Sequence, residues 1–303
     1  MPQLKKSHTF DYGETVSGLK LFTFGLFKKM VIADNIAVIV DHTFAGLPQY
    51  KGISLIMTMF LFTWQIYMDF SGYTDMARGV ARMLGFHLVE NFNTPYLSTS
   101  VRNFWRRWHM SLSRWLKDYL YIPLGGSRGG LFRTCINIFI VFTLCGLWHG
   151  AAWTFVIWGA FHGLVMVIER LVRKVTQVQL PTPIKIFYTF SMISISWVFF
   201  RAQNLDDALY IFRYAFTGAK NFFLPSYLWA SISQLFTTNK AEMGITAGLL
   251  LIAIALELIP RTTLAAFVRR QPTVLRYSLY ILLVLMIIHL RNANIKAFLY
   301  VKF

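Results

Sequence analysis

Apolar residues in this chain collect in long blocks instead of alternating with polar ones. Residues 52–68 (GISLIMTMFLFTWQIYM) form the first clear block, and 134–148 and 151–168 make a nearly continuous pair broken only at His149-Gly150. Further blocks run over 186–200, 243–259 and 274–290. Crossing a bilayer core takes about 20 mostly apolar residues in a helix. The pattern therefore predicts six membrane-spanning helices and an all-α fold. The stretch 16–40 is also apolar, but Lys28-Lys29 interrupts it, so it either spans the membrane or lies in its interface. No internal repeat or low-complexity tract is visible.

Composition agrees with the blocks. The 303 residues are 56% hydrophobic and only 14% charged, with mean hydropathy +0.50; a soluble domain carries about a quarter charged residues. Lys and Arg outnumber Asp and Glu by 30 to 13. Such a basic chain raises the question of nucleic acid, but the apolar blocks argue against it, and no nucleic-acid partner is expected. The cations instead point to cytoplasmic loops and anionic lipid headgroups. Arg170, Arg173, Lys174 and Lys185 fall in the 169–185 linker, and Arg261, Arg269 and Arg270 in the 260–273 loop. Placing both in the cytoplasm leaves the 201–242 connection, with Asp206, Asp207 and Glu242, facing outward. The opening residues MPQLKKSHTFDYGE contain no apolar core of a signal peptide. Cys135 and Cys145 lie ten residues apart in one apolar block with no CxxC or Cys/His spacing, so neither a disulfide framework nor a metal site is expected.

Within the apolar pair, residues 144–153 read LCGLWHGAAW, and the chain carries no charged residue from Cys135 to Ile168. His149 is fenced by Trp148, Gly150 and Trp153. Arms of about 15–18 residues are about 22–27 Å long as helix, somewhat short of the ~30 Å hydrocarbon core. The hairpin tip with His149 is therefore expected below the outer surface. Ionisable groups within a membrane are costly and mark a pathway or a site; the alternative is a histidine hydrogen-bonded for packing.

Residues 98–121 (STSVRNFWRRWHMSLSRWLKDYLY) form a second constellation. Read as one helix, Trp105, Trp108, Leu112, Trp115 and Tyr119 make an aromatic stripe, with Arg102, Arg106, His109 and Ser113 beside it. Ser98, Thr99 or Ser100 is the expected N-cap. The pattern suits an interfacial helix, although His109 is an unusual headgroup anchor. A third cluster, YMDFSGYTDMARGVARMLGF (67–86), sets Asp69 and Asp75 near Arg78 and Arg82, a structural ion-pair network at the membrane edge. His162 and His289 are assigned packing or interfacial roles.

These stretches together resemble the membrane-bound O-acyltransferase (MBOAT) family, and within it the bacterial alginate O-acetyltransferase branch. The matching residues are DFSGYTDMARGVARMLGF, ENFNTPYLSTSVRNFWRRWHMSLSRWLKDYLYIPLGG, CGLWHGAAWTFVIWGAFHG and the closing FLYVKF. The resemblance implies a multi-helix bundle with interfacial and re-entrant helices, forming one membrane-embedded domain over 1–303. Family members begin with further helices, so the chain is expected to lack that N-terminal part. The resemblance makes His149 the catalytic residue and His109 its active-site companion. It implies an acyl group, acetyl in this branch, moved from a thioester donor (acetyl-CoA or an acyl carrier) to hydroxyls of an exported alginate-like or cell-wall polysaccharide. It also implies a multi-pass position in the bacterial inner membrane, surrounding lipids, an extracytoplasmic acyl-accepting partner protein and no bound cofactor or metal. Trp148, Trp153, the backbone around Gly150 or His109 are the alternative candidates for oxyanion donor, with no choice among them. A transporter or flippase, or a non-catalytic component of an export complex, is the alternative.

Overall fold

The structure, a computed structural model, describes residues 3–5, 7–176, 180–236, 240–259, 261–292 and 297–299. Most of the closing FLYVKF lies outside them. Among the described residues the regular structure is helical: α1 (Tyr12–Phe27), α2 (Asp34–Ala45), α3 (Ile53–Met83), α4 (Val101–Trp105), α5 (Met110–Leu116), α6 (Gly130–His149), α7 (Trp153–Val175), α8 (Thr182–Arg201), α9 (Leu205–Tyr214), α10 (Pro225–Ser233), α11 (Lys240–Leu258), α12 (Arg261–Arg270) and α13 (Thr273–Leu290). Six of them, α3, α6, α7, α8, α11 and α13, are long and apolar enough to cross a membrane. They coincide with the six apolar blocks. The fold is that of an all-α polytopic membrane protein.

The chain divides into two compact units. One comprises residues 1–38, 64–91 and 240–302. Here α1 lies antiparallel to the second half of α3, and the approach is set by glycines. A Cβ on Gly18 would sit 2.6 Å from the Gly79 carbonyl oxygen, and one on Gly25 would sit 2.6 Å from that of Gly72. Small residues let backbones meet this closely where lipid removes any hydrophobic gain from association. A π-helical turn over Lys28–Ala33 follows α1, and it turns Lys28 and Lys29, the pair that interrupts the apolar stretch, toward α3. Lys28 pairs with Asp75 and donates to Ser71 Oγ at 3.1 Å. Lys29 pairs with both Asp34 and Asp69 at 2.7 Å. Arg78 adds Glu90 at 3.1 Å and Asp75 at 3.6 Å. Burial opposes the Lys29 ammonium, but Asp69 and then Asp34 outweigh it and raise its pKa above the ordinary lysine value. α3 itself continues as helix for 31 residues, well beyond the apolar block at its start, and the paired carboxylates Asp69 and Asp75 lie in that continuation.

The other unit comprises residues 39–63 and 92–239. Its centre is the α6–α7 hairpin, the most extensive helix pairing among the described residues, with α8 packed against α7 and the short α4 against both α7 and α8. The hairpin arms are longer than the apolar pattern suggests. α6 begins at Gly130 and α7 runs to Val175, so they hold 20 and 23 residues, about 30 and 35 Å at 1.5 Å per residue. Either arm can cross the hydrocarbon core. What buries His149 is the packing of rings around it rather than shortness of its helices.

Candidate functional site

The site is built on the hairpin. A Cβ on Gly146 would lie 2.2 Å from the Phe155 carbonyl oxygen, and one on Gly159 would lie 2.2 Å from that of Phe142. Only glycine at both positions permits this contact, and the contact sets the height of one helix against the other. α6 then ends at His149. The Gly150 N–H donates to the Leu147 carbonyl at 3.2 Å, and a side chain at Gly150 would strike the Phe155 ring at 2.5 Å. Trp158 and His162 follow one turn apart on α7 and share a face. Trp197 and Phe200 on α8 close the cluster.

His149 is 4% exposed. Its ring meets Trp158 edge-on at a centroid distance of 5.1 Å, Phe200 at 5.4 Å and Trp148 at 4.8 Å. Trp158 meets His162 on its other side at 5.0 Å and stacks on Trp197 at 5.8 Å with 19° between planes. Trp105 of α4 donates its indole N–H to His162 Nδ1 at 3.3 Å. His162, assigned a packing role from the sequence, thus stands at the centre of the cluster, 1% exposed. Its spacing of four from Trp158 was the available signal. The flanking Trp148 and Trp153 are instead 61% and 72% exposed.

The segment 98–121 departs from the single helix expected of it. Ser100 caps α4 by accepting the Asn103 N–H at 3.0 Å, and the Val101 N–H donates to Glu169 of α7 at 2.8 Å. The helix then stops, and His109 takes a left-handed backbone conformation, φ 42°, ψ 56°, before α5 begins. This conformation is uncommon for a residue with a Cβ and gathers at functional sites. The stripe does not stay on one face: Trp105 and Trp108 before the turn and Leu112 after it are buried, and Trp108 packs on Trp197 at 5.1 Å. Trp115 and Tyr119 are exposed and pack on each other. The turn separates His109, which is half-buried, from the exposed Arg102 and Arg106.

His109 and His149, forty residues apart in sequence, come close enough to interact electrostatically. Burial first, and the charge of His149 second, pull the His109 imidazolium from 6.5 down to about 3. His109 is therefore neutral at physiological pH, and Ser111 Oγ lies 3.3 Å from its Nδ1. Among the described residues no three His, Cys, Asp or Glu side chains are grouped to hold a metal ion. Chemically, the unit presents imidazoles in an aromatic shell inside a membrane helix bundle, an arrangement suited to proton transfer from a weakly acidic group.

Fold and site together define a polytopic helical membrane protein with His149 in a buried aromatic cluster and His109 within electrostatic reach of it. Residues 1–205 match the membrane-bound O-acyltransferase family, MBOAT, and the chain belongs to that family. It is 47% identical over 203 residues to the probable alginate O-acetylase AlgI of Azotobacter vinelandii, covering 67% of this chain and 40% of that protein. To the probable alginate O-acetylase AlgI of Pseudomonas aeruginosa it is 42% identical over 249 residues, covering 82% and 45%. To the peptidoglycan O-acetyltransferase of Helicobacter pylori it is 43% identical over 218 residues, covering 70% and 41%. The chain thus spans less than half the length of these relatives.

Proposed function

We propose that this chain carries the reaction centre of an acyltransferase of the bacterial inner membrane. The centre moves an acyl group, acetyl by likeness to the relatives, from a thioester donor to hydroxyls of an exported polysaccharide. Acetyl-CoA and an acyl carrier are the candidate donors. Alginate and cell-wall glycans are the candidate acceptors, reached with an extracytoplasmic partner protein. His149 is the general base and His109 its companion. The observation that carries this reading is the placement of the half-buried His109 near enough to the buried His149, inside its shell of rings, for their charges to interact. Bilayer insertion alone favours leucine over histidine at position 149, so the imidazole is kept for its proton chemistry or its hydrogen bonds.

In the reaction the acceptor hydroxyl oxygen attacks the thioester carbonyl carbon while His149 takes the hydroxyl proton. A tetrahedral oxyanion forms, the C–S bond breaks, and the thiolate leaves with the proton from the imidazolium. His109, neutral beside it, avoids a second cation that would oppose protonation of His149. General-base catalysis contributes about 10²–10⁴-fold. His149→Ala is therefore expected to lower acetyl transfer from acetyl-CoA to polymannuronate by at least about 10²-fold in isolated membranes, with insertion and yield unchanged. Full activity per molecule in that variant would remove the base assignment.

A further inference from the structure

Three ring N–H groups of the aromatic cluster have no acceptor among the described protein atoms: Trp158 Nε1, Trp197 Nε1 and His162 Nε2. For His162 the tautomer is set by Trp105, whose indole N–H occupies Nδ1, so the imidazole proton lies on Nε2. The three residues are 1%, 2% and 1% exposed. A buried donor left unmatched loses its hydration without compensation, and each such group in a native protein calls for an explanation. Here the unmatched donors are not scattered. Trp158 touches the other two, stacked on Trp197 at 5.8 Å and edge-on to His162 at 5.0 Å, and the same indole meets His149 at 5.1 Å.

Buried N–H groups without protein acceptors, grouped beside a base, are what a developing oxyanion requires. Fixed donors in a site of low dielectric are worth far more than in water, and they need no reorganisation when charge appears. We propose that the indole N–H groups of Trp158 and Trp197 receive the carbonyl oxygen of the thioester and stabilise the oxyanion formed on attack, with His162 behind them as a third donor. This assigns the role to the buried indoles in preference to Trp148 and Trp153, which are 61% and 72% exposed and offer an oxyanion a less desolvated environment. Trp158 is the principal donor because its indole touches both His149 and His162. The negative charge on the former carbonyl oxygen is held by these N–H groups while the hydroxyl proton rests on His149. When the C–S bond breaks the carbonyl reforms, and the donors are released. The proposal rests on the reading of His149 as the base.

Two measurements test it. In the acetyl-CoA to polymannuronate assay, Trp158→Phe keeps an aromatic ring and deletes the N–H; kcat should fall about 10²–10³-fold with KM within about twofold. Trp197→Phe should fall in the same direction. A packing defect alone has no reason to spare KM while removing kcat. The second measurement needs no substitution at the site. In the wild-type protein with ¹⁵N-labelled tryptophan, addition of the unreactive acetonyl thioether of coenzyme A should move the Trp158 indole N–H resonance downfield. Trp158→Phe is used only to assign that resonance. The proposal is overturned if both phenylalanine variants keep kcat within about threefold of wild type, or if the indole resonance does not move. His149→Ala separates the two readings. If it is inactive while Trp158→Phe is fully active, the base stands and the donor assignment falls; if it is active, the base reading itself has failed.

Discussion

Gly159→Ala probes how the hairpin sets the site. The added Cβ would lie 2.2 Å from the Phe142 carbonyl oxygen and 2.9–3.0 Å from the backbone of Gly146. Ordinary contact begins at about 3.4 Å, so α6 and α7 must separate by about 1 Å at this point. Every obstructing atom is backbone, so no side chain can rotate away to relieve the clash. Overpacking of this kind costs about 1–3 kcal/mol. The functional effect is expected to be larger than the stability effect. His149 lies three residues beyond Gly146 on α6, and Trp158 immediately precedes Gly159 on α7, so the separation falls on the contact between them. A misplacement of about 1 Å at a reaction centre lowers the rate by about 10²-fold. Thermal aggregation of detergent-solubilised protein reads the first effect, and kcat for acetyl transfer in membranes reads the second. Gly248→Ala on α11, where an added Cβ meets nothing within 4 Å, is the matched control. A Gly159→Ala protein with wild-type midpoint and wild-type kcat would refute the idea that this contact sets the geometry of the site.

The remaining predictions address charge. Asp75→Asn removes the carboxylate paired with Lys28, which is 2% exposed, and should destabilise by about 3–5 kcal/mol, read as a loss of protein from membranes at unchanged activity per folded molecule. Replacing both partners, Lys28→Met with Asp75→Leu, should recover much of that loss; a double variant as unstable as the single one counts against the ion-pair account. For His109, the folded state holds the neutral ring down to about 3 while the unfolded chain titrates near 6.5. The unfolded chain therefore binds more protons between these values, and stability from His109 is complete above 6.5 and lost as pH falls toward 3. Its protonation should not shape kcat between about pH 8 and pH 5. An acid limb near 6.5 that vanishes in His109→Asn, a residue that tolerates the left-handed backbone, would contradict this.

The membrane class and its six spans were legible in the sequence because a lipid solvent imposes a simple rule: each crossing helix must be apolar along its length. His149 was legible for the same reason, as an ionisable group where the bilayer favours none. The structural role of Asp69 and Asp75 followed from their charge in such a setting, but their partners did not. Lys28 and Lys29 lie some forty residues upstream, and only the π-helical turn and the glycine-spaced packing of α1 on α3 bring them to those carboxylates. The segment around His109 was misread as one helix because its aromatic and polar residues keep a helical period. Periodicity carries no sign of a single residue in the left-handed region, which the surrounding tertiary contacts impose. For His162 the one local signal was its spacing of four from Trp158, which marks a shared helix face but not what that face meets. Its place between Trp105 and Trp158 depends on α4 being docked to α7 through Glu169, a contact made by residues 68 positions apart. Local hydrophobicity is read one segment at a time, whereas which rings meet, and which of their N–H groups keep no partner, is decided only when helices distant in sequence pack together.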